Sequence, residues 1–134
     1  GEAGGSGGKP AGVGVVLKKP PERLLAGGLK VKDIVVGDGK VAAAGKKVSI
    51  VYEGTFPNGK TFDKNDKRKP LKFRVGLHEV VTGMDKGIEG MQVGGRRQLY
   101  IPAPLGYGRR GCPPAILANQ DLVFNVQLLA VEGR

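Results

Sequence analysis

Short runs of alternating apolar residues, each closed by a glycine-containing turn, constrain this chain more than any other feature. Val48, Ile50 and Tyr52 alternate, as do Leu71, Phe73 and Val75, then Leu99 and Ile101, and finally Leu122, Phe124, Val126 and Leu128. A period of two puts these side chains on one side of a strand, which predicts an antiparallel sheet with one buried face. Gly37-Asp38-Gly39, Pro57-Asn58-Gly59 and Gly94-Gly95 punctuate the runs, and Asn58-Gly59 is the strongest hairpin signal. One segment has the helical period instead: Val81, Met84, Ile88 and Met91, with Thr82 followed three residues later by Asp85 in the manner of a capping box. Gly83 and Gly87 weaken that helix by roughly 1 kcal/mol each relative to alanine, so it should be short and depend on packing. The expected fold class is α+β, a twisted antiparallel β-sheet wrapped around one short α-helix.

A chain of 134 residues suits one domain that can bury a core without disulfides. Aromatic residues make up 5% and tryptophan is missing, so aliphatic side chains must fill most of that core and the few aromatics are worth locating. Seven of the first fourteen residues are glycine, followed by Lys18-Lys19-Pro20-Pro21. Residues 1–26 therefore read as a flexible glycine-rich linker or a cloning remnant, and residues 27–134 as the folded domain. Val13 to Leu17 could add an edge strand, against which the flanking glycines argue. That segment is too short and too glycine-interrupted for the core of a signal peptide, and no stretch is long enough to cross a bilayer. The first residue is Gly rather than Met, which suggests a fragment or a processed product. The single cysteine, Cys112, excludes an internal disulfide and favours a reducing compartment.

Several chemistries find no support. One histidine, His78, and one cysteine cannot form a metal site without carboxylates at a spacing that is missing here, and His78 reads as an exposed loop residue. No phosphate-binding glycine loop follows a strand. A Ser-His-Asp triad would need Ser6 or Ser49; the first lies in the linker, and the second lies inside a strand pattern with no nucleophile elbow. Metal, nucleotide cofactor and covalent nucleophile are thus not expected.

The motifs that remain are Val51-Tyr52-Glu53-Gly54, Lys60-Thr61-Phe62-Asp63, Phe73-Arg74-Val75-Gly76, Glu79-Val80-Val81-Thr82-Gly83-Met84-Asp85-Lys86-Gly87 and Leu105-Gly106-Tyr107-Gly108. In this order and spacing they resemble the FK506-binding proteins, a family of peptidyl-prolyl isomerases. The resemblance covers roughly residues 28–131. It implies an apolar pocket lined by Tyr52, Phe62, Val80, Val81, Tyr107, Ile116 and Phe124, with Phe73 as a core aromatic beneath it. It makes Asp63 the carboxylate at the pocket mouth. The Tyr107 hydroxyl and the Val81 backbone N–H become donors to a ligand carbonyl, and the Glu79 backbone carbonyl the acceptor of a macrolide hydroxyl. Leu71 is placed at the pocket edge, Met84 at its floor and Cys112, read as an ordinary loop thiol, at its rim. The implied ligands are Xaa-Pro peptides and macrolides of the FK506 and rapamycin type, with no cofactor, no membrane partner and a monomeric domain.

Three positions depart from the family pattern. Met84 stands where a tryptophan often forms the floor, Leu71 replaces a common phenylalanine, and Cys112 to Asn119 keeps Ile116 but lacks the usual Pro-Pro after it. A smaller, more flexible floor implies weaker macrolide binding and slower catalysis than in typical members.

The formal charge of +10 predicts attraction to polyanions. Lys60, Lys64, Lys67, Arg68, Lys69, Lys72 and Arg74 cluster in and beside the loop after Asp63, with Arg96-Arg97 and Arg109-Arg110 as smaller groups. A second reading is therefore open: a weakly catalytic or non-catalytic adaptor of the same fold that binds chromatin or nucleic acid through a basic face. Gly28 to Asp33, Gly90 to Arg97 and Arg110 to Pro114 are similar to the C-terminal isomerase domains of nuclear FK506-binding proteins, in which an acidic nucleoplasmin-like region handles histones. That resemblance implies a nuclear location and a histone-chaperone context.

Overall fold

Antiparallel pairing joins every strand of the computed structural model, which describes residues 14–133. In chain order the elements are β1 (Val15–Val16), β2 (Glu22–Leu24), β3 (Lys30–Val36), β4 (Lys47–Thr55), β5 (Thr61–Lys64), β6 (Leu71–Arg74), α1 (Thr82–Ile88), β7 (Arg96–Ile101) and β8 (Leu122–Glu132). The sheet runs β1-β3-β7-β8-β4-β5, with β2 pairing beside β1 on β3 and β6 pairing with β4. The α+β class expected from the alternating runs is the architecture observed.

Alternation along the strands decides which side is buried. Leu99 and Ile101 of β7, Leu122, Phe124, Val126 and Leu128 of β8, and Val48 and Ile50 of β4 all point into one core, with α1 laid across it. The Asn58-Gly59 turn closes a hairpin between β4 and β5: Phe56 N–H donates to the Lys60 carbonyl at 2.9 Å, and Gly59 N–H to the Phe56 carbonyl at 2.8 Å.

The helix is seven residues long and carries the two glycines that weaken it on its own. A Cβ on Gly83 would lie 2.5 Å from Ile101 Cγ2, and one on Gly87 2.6 Å from Leu99 Cδ2. The glycines let the helix axis sit down on β7, so intrinsic helicity is exchanged for contact with the sheet.

Two details differ from the sequence reading. Thr82 and Asp85 form no capping box; Val81 is the N-cap residue, with no side-chain cap. Asp85, only 4% exposed, instead accepts from the N–H groups of Gly76 at 2.7 Å and His78 at 3.2 Å. The pattern Thr-x-x-Asp matches a cap by spacing, but the orphan N–H groups of the preceding loop are nearer and better placed. Arg97 likewise is no part of a basic surface. It is 6% exposed, donates through Nε to Asp33 Oδ1 at 2.6 Å, and through Nη1 to the carbonyls of Gly87 at 2.8 Å and Glu89 at 3.0 Å. A buried guanidinium thus satisfies carbonyls at the helix C-terminus and ties them to β3.

Residues 1–13 lie outside the described residues, so half of the expected linker has no structural account here. Within its remainder, Val15 and Val16 pair with Val36 and Val35, and Glu22 to Leu24 pair with Lys32 to Lys30. The edge strand weighed for Val13 to Leu17 is realised over those two valines, where β3 offers free backbone groups.

Candidate active site

Aromatic residues from three strands and one turn converge at the β4–β5 end of the sheet. The Tyr52 and Phe124 rings meet edge to face, with centroids 5.8 Å apart, and Phe62 meets Phe124 in the same manner at 5.6 Å. Phe56 stacks on Phe62 at 5.0 Å. Edge-to-face pairs align the positive rim of one ring with the negative face of the next, which favours a fixed cluster over sliding stacks. Phe124 is 6% exposed, whereas Tyr52, Phe62 and Phe56 are half-buried and leave apolar surface open.

Gly54 makes this convergence possible. It lies on β4 opposite Asp63 of β5 and Phe124 of β8. A Cβ there would stand 2.6 Å from Phe62 Cζ and 2.9 Å from Phe124 Cε1. Neither Gly54 nor Phe56 was among the expected site residues. Phe56 sits in the turn dipeptide Phe56-Pro57, where a loop reading hides an aromatic, and the sign of Gly54 was a glycine inside an otherwise regular strand.

The polar groups are few and ordered. The Tyr52 hydroxyl donates to Asp63 Oδ2 at 2.8 Å. Burial pushes the Tyr52 phenol up to about 12, with the hydrogen bond to Asp63, the Asp63 charge and, where it ionises, the Tyr107 phenol adding to it. Tyr107, 38% exposed, is also raised, first by burial and then by its proximity to Cys112 and Asp63. Both phenols therefore stay protonated donors at neutral pH.

Asn65 fixes the chain just beyond. Its Oδ1 accepts from Tyr52 N–H at 2.7 Å, and its Nδ2 donates to the carbonyls of Ile50 and Lys69, each at 3.2 Å. The strand bearing Tyr52 and the basic loop after Asp63 are locked together by one amide.

The remaining expected residues come from both sides of the cluster. Val80 and Val81 are half-buried at the start of α1, and Met84 lies 3% exposed in the helix among the core side chains. Phe73 is buried on β6, and Leu71 is half-buried on the same strand opposite Ile50. Glu79 is exposed, and its Oε1 accepts from Arg74 N–H at 3.0 Å. Cys112 is exposed and exchanges backbone hydrogen bonds with buried Ile116 at 2.8 and 3.0 Å.

A sheet curled on one short helix, with an aromatic cluster open at one end and phenol and carboxylate at its mouth, defines an FKBP-like domain. The chain belongs to the FKBP-type peptidyl-prolyl cis-trans isomerase family, whose profile matches residues 39–129. It is 48% identical over 119 residues to FK506-binding protein 4 of Dictyostelium discoideum, spanning 87% of this chain and 32% of that protein. It is 49% identical over 110 residues to the 39 kDa FK506-binding nuclear protein of Drosophila melanogaster, spanning 81% of this chain and 31% of that protein. This chain thus spans about a third of the length of those relatives. Among solved structures, a peptidyl-prolyl cis-trans isomerase from Pseudomonas syringae superposes with a TM-score of 0.76 at 32% identity, covering 87% of this chain and 84% of that one.

Proposed function

We propose that this domain catalyses cis-trans isomerisation of Xaa-Pro peptide bonds and binds macrolides of the FK506 and rapamycin type at the same place. The observation that carries the reading is the fixed aromatic cluster of Tyr52, Phe62 and Phe124, with the Tyr52 hydroxyl held on Asp63, in a chain of this family.

The chemistry follows from the amide bond. Rotation is opposed by resonance with a barrier of about 18–20 kcal/mol. As the bond twists, conjugation is lost and the carbonyl becomes less dipolar, so an apolar surface that excludes water favours the twisted state over the planar one. A rate gain of about a million needs roughly 8 kcal/mol of that preference. Phe62, Phe124, Val80, Val81 and Ile116 would take the proline ring and displace water. Tyr107, kept protonated, would donate to a substrate carbonyl, and Asp63 would hold Tyr52 so that the wall does not collapse into the vacancy. No group needs to transfer a proton or form a bond.

Exchange spectroscopy of a short Xaa-Pro peptide, with and without the protein and with FK506 as competitor, tests this reading. Acceleration suppressed by FK506 is expected; a folded domain that leaves the exchange rate unchanged would refute it. Because Met84 is smaller than the tryptophan common in the family, Met84→Trp should tighten FK506 binding, and a titration without gain would count against the floor assignment.

Relatives named as nuclear proteins support a nuclear setting for the full-length protein. A second reading, binding of histones or nucleic acid by an adaptor, is favoured by the charge of +10 and by exposed Lys64 at the end of β5 with Lys67 and Lys69 in the loop after it. Phosphate-driven binding must weaken steeply with salt. DNA affinity unchanged between low and physiological salt would exclude it.

A further inference from the structure

The outward face of the sheet, on the side away from α1, holds a groove of about 410 Å³ that the proposed isomerase chemistry does not use. Its floor comes from neighbouring register positions of β7, β8 and β4. Arg96 lies opposite Gln127, which lies opposite Val51; Gln98 lies opposite Asn125, which lies opposite Glu53, which in turn lies opposite Lys64 of β5. Ile34 of β3 closes the β7 side. Phe124 and Val126 alternate with these residues and belong to the core, and of the aromatic cluster described above only Tyr52 borders the groove, with its ring held against Phe124.

Its charges are arranged in a definite order. Lys64 and Arg96 are exposed and stand at opposite margins, and neither forms an ion pair among the described residues. Arg97, which also borders the groove, is already neutralised by Asp33. Between the two free cations stands Glu53, whose Oε2 accepts from the Thr61 hydroxyl at 2.5 Å. The pattern across the face is plus, minus, plus, over uncharged amides and a valine.

We propose that this groove binds an extended acidic peptide whose carboxylates are spaced apart, with an uncharged residue between them. Lys64 and Arg96 stand three interstrand spacings apart and two residues offset along the strands, about 16 Å between backbones, which their long side chains close to the 13–14 Å or so between residues i and i+4 of an extended chain. Carboxylates at i and i+4 would meet Lys64 and Arg96, and an apolar or small residue at i+2 would pass Glu53 and rest toward Val51. A nucleic-acid strand fits less well. It carries a phosphate at every residue, so one would lie against Glu53, and the one aromatic residue bordering the groove, Tyr52, holds its ring in the cluster with Phe124 rather than open to a stacked base.

The test is a titration of isotopically labelled protein with the peptide Ser-Glu-Ser-Val-Ser-Glu-Ser at low salt, read by amide chemical shifts. Shifts should centre on Ile34, Val51, Asn125 and Gln127. The double variant Lys64→Glu/Arg96→Glu should lose about tenfold or more in affinity, since two exposed attractions become repulsions. The charge-matched control Lys67→Glu/Lys69→Glu should change it less than about twofold. Equal losses in both doubles would reduce the effect to the overall field of the protein and overturn the proposal, as would shifts confined to the 64–72 loop or to the aromatic cluster. A dT oligonucleotide that displaces the peptide and binds more tightly would assign the groove to nucleic acid instead. Should the double variant unfold, Arg96→Gln provides the same reading, and Glu53→Gln should erase the preference for the spaced peptide over Ser-Glu-Glu-Glu-Glu-Glu-Ser.

Discussion

Two segments border the aromatic cluster, and they are held in opposite ways. Residues 75–81 are anchored by side chains: buried Asp85 takes the Gly76 and His78 N–H groups, and Glu79 takes that of Arg74. Residues 106–119 are held by backbone alone, through Gly108 to Ala103, Gly111 to Tyr107, the Cys112–Ile116 pair and Asn119 to Gly108. Ile116 is the one side chain from Cys112 to Asn119 that is buried. The first border is rigid because a carboxylate inside the protein has no alternative partners there. The second is free to vary in sequence because its hydrogen bonds demand no particular side chain. That asymmetry fits the resemblance, in which the segment after Ile116 is one of three places where this chain departs from the family pattern.

The largest effect should come from removing the anchor. Asp85→Ala leaves two loop N–H groups without their acceptor and should lower unfolding stability by about 3 kcal/mol, read by chemical denaturation. Asp85→Asn, which keeps one acceptor oxygen, should lose less. A near-neutral Asp85→Ala would erase the contrast between the two borders. Next comes Gly54→Ala, which forces a methyl against Phe62 and Phe124. Overpacking of this kind should destabilise by about 2 kcal/mol and lower isomerase activity at least in proportion. Wild-type ring contacts in that variant would show that the cluster yields where it is taken to be fixed.

Ile116→Ala should remove about 2 kcal/mol of local packing. The loss should surface as faster amide exchange across residues 111–119, with the global midpoint little moved. A global shift as large as that of Asp85→Ala would mean both borders are integral to the core.

The smallest effect is a pH dependence. The Tyr52 phenol is raised from its ordinary value near 10 to about 12, so the folded state favours the protonated form. Its contribution is complete below pH 10 and falls away as pH rises toward 12. The difference in stability between wild type and Tyr52→Phe should therefore shrink across that interval, and a constant difference would argue against a phenol held protonated by burial and by Asp63.

Strand alternation was legible because a half-buried strand leaves a period of two in the sequence: the runs at Val48, Leu71, Leu99 and Leu122 became β4, β6, β7 and β8. The hairpin at Asn58-Gly59 was legible because few other residues suit such a turn. Asp85 and Arg97 were misread since spacing records neither burial nor distant partners. Arg97 stands beside Arg96 in sequence, yet a strand sends neighbours to opposite sides, one into the core and one into the outer groove. The groove itself was hidden for a related reason. Lys64 and Arg96 are 32 positions apart in the sequence and come to border one groove only through the order β7-β8-β4-β5.

That strand order also sets a schedule. β8, Leu122–Glu132, lies at the centre of the sheet between β7 and β4, yet it comes last in sequence among the described strands. Until it leaves the ribosome, β3 and β7 cannot join β4 and β5, and α1, too short and glycine-rich to persist alone, has no complete surface to rest on. A chain halted before Leu122 would hold its aromatic residues exposed and unpaired, and the eleven residues of β8 complete the sheet in one step when they arrive.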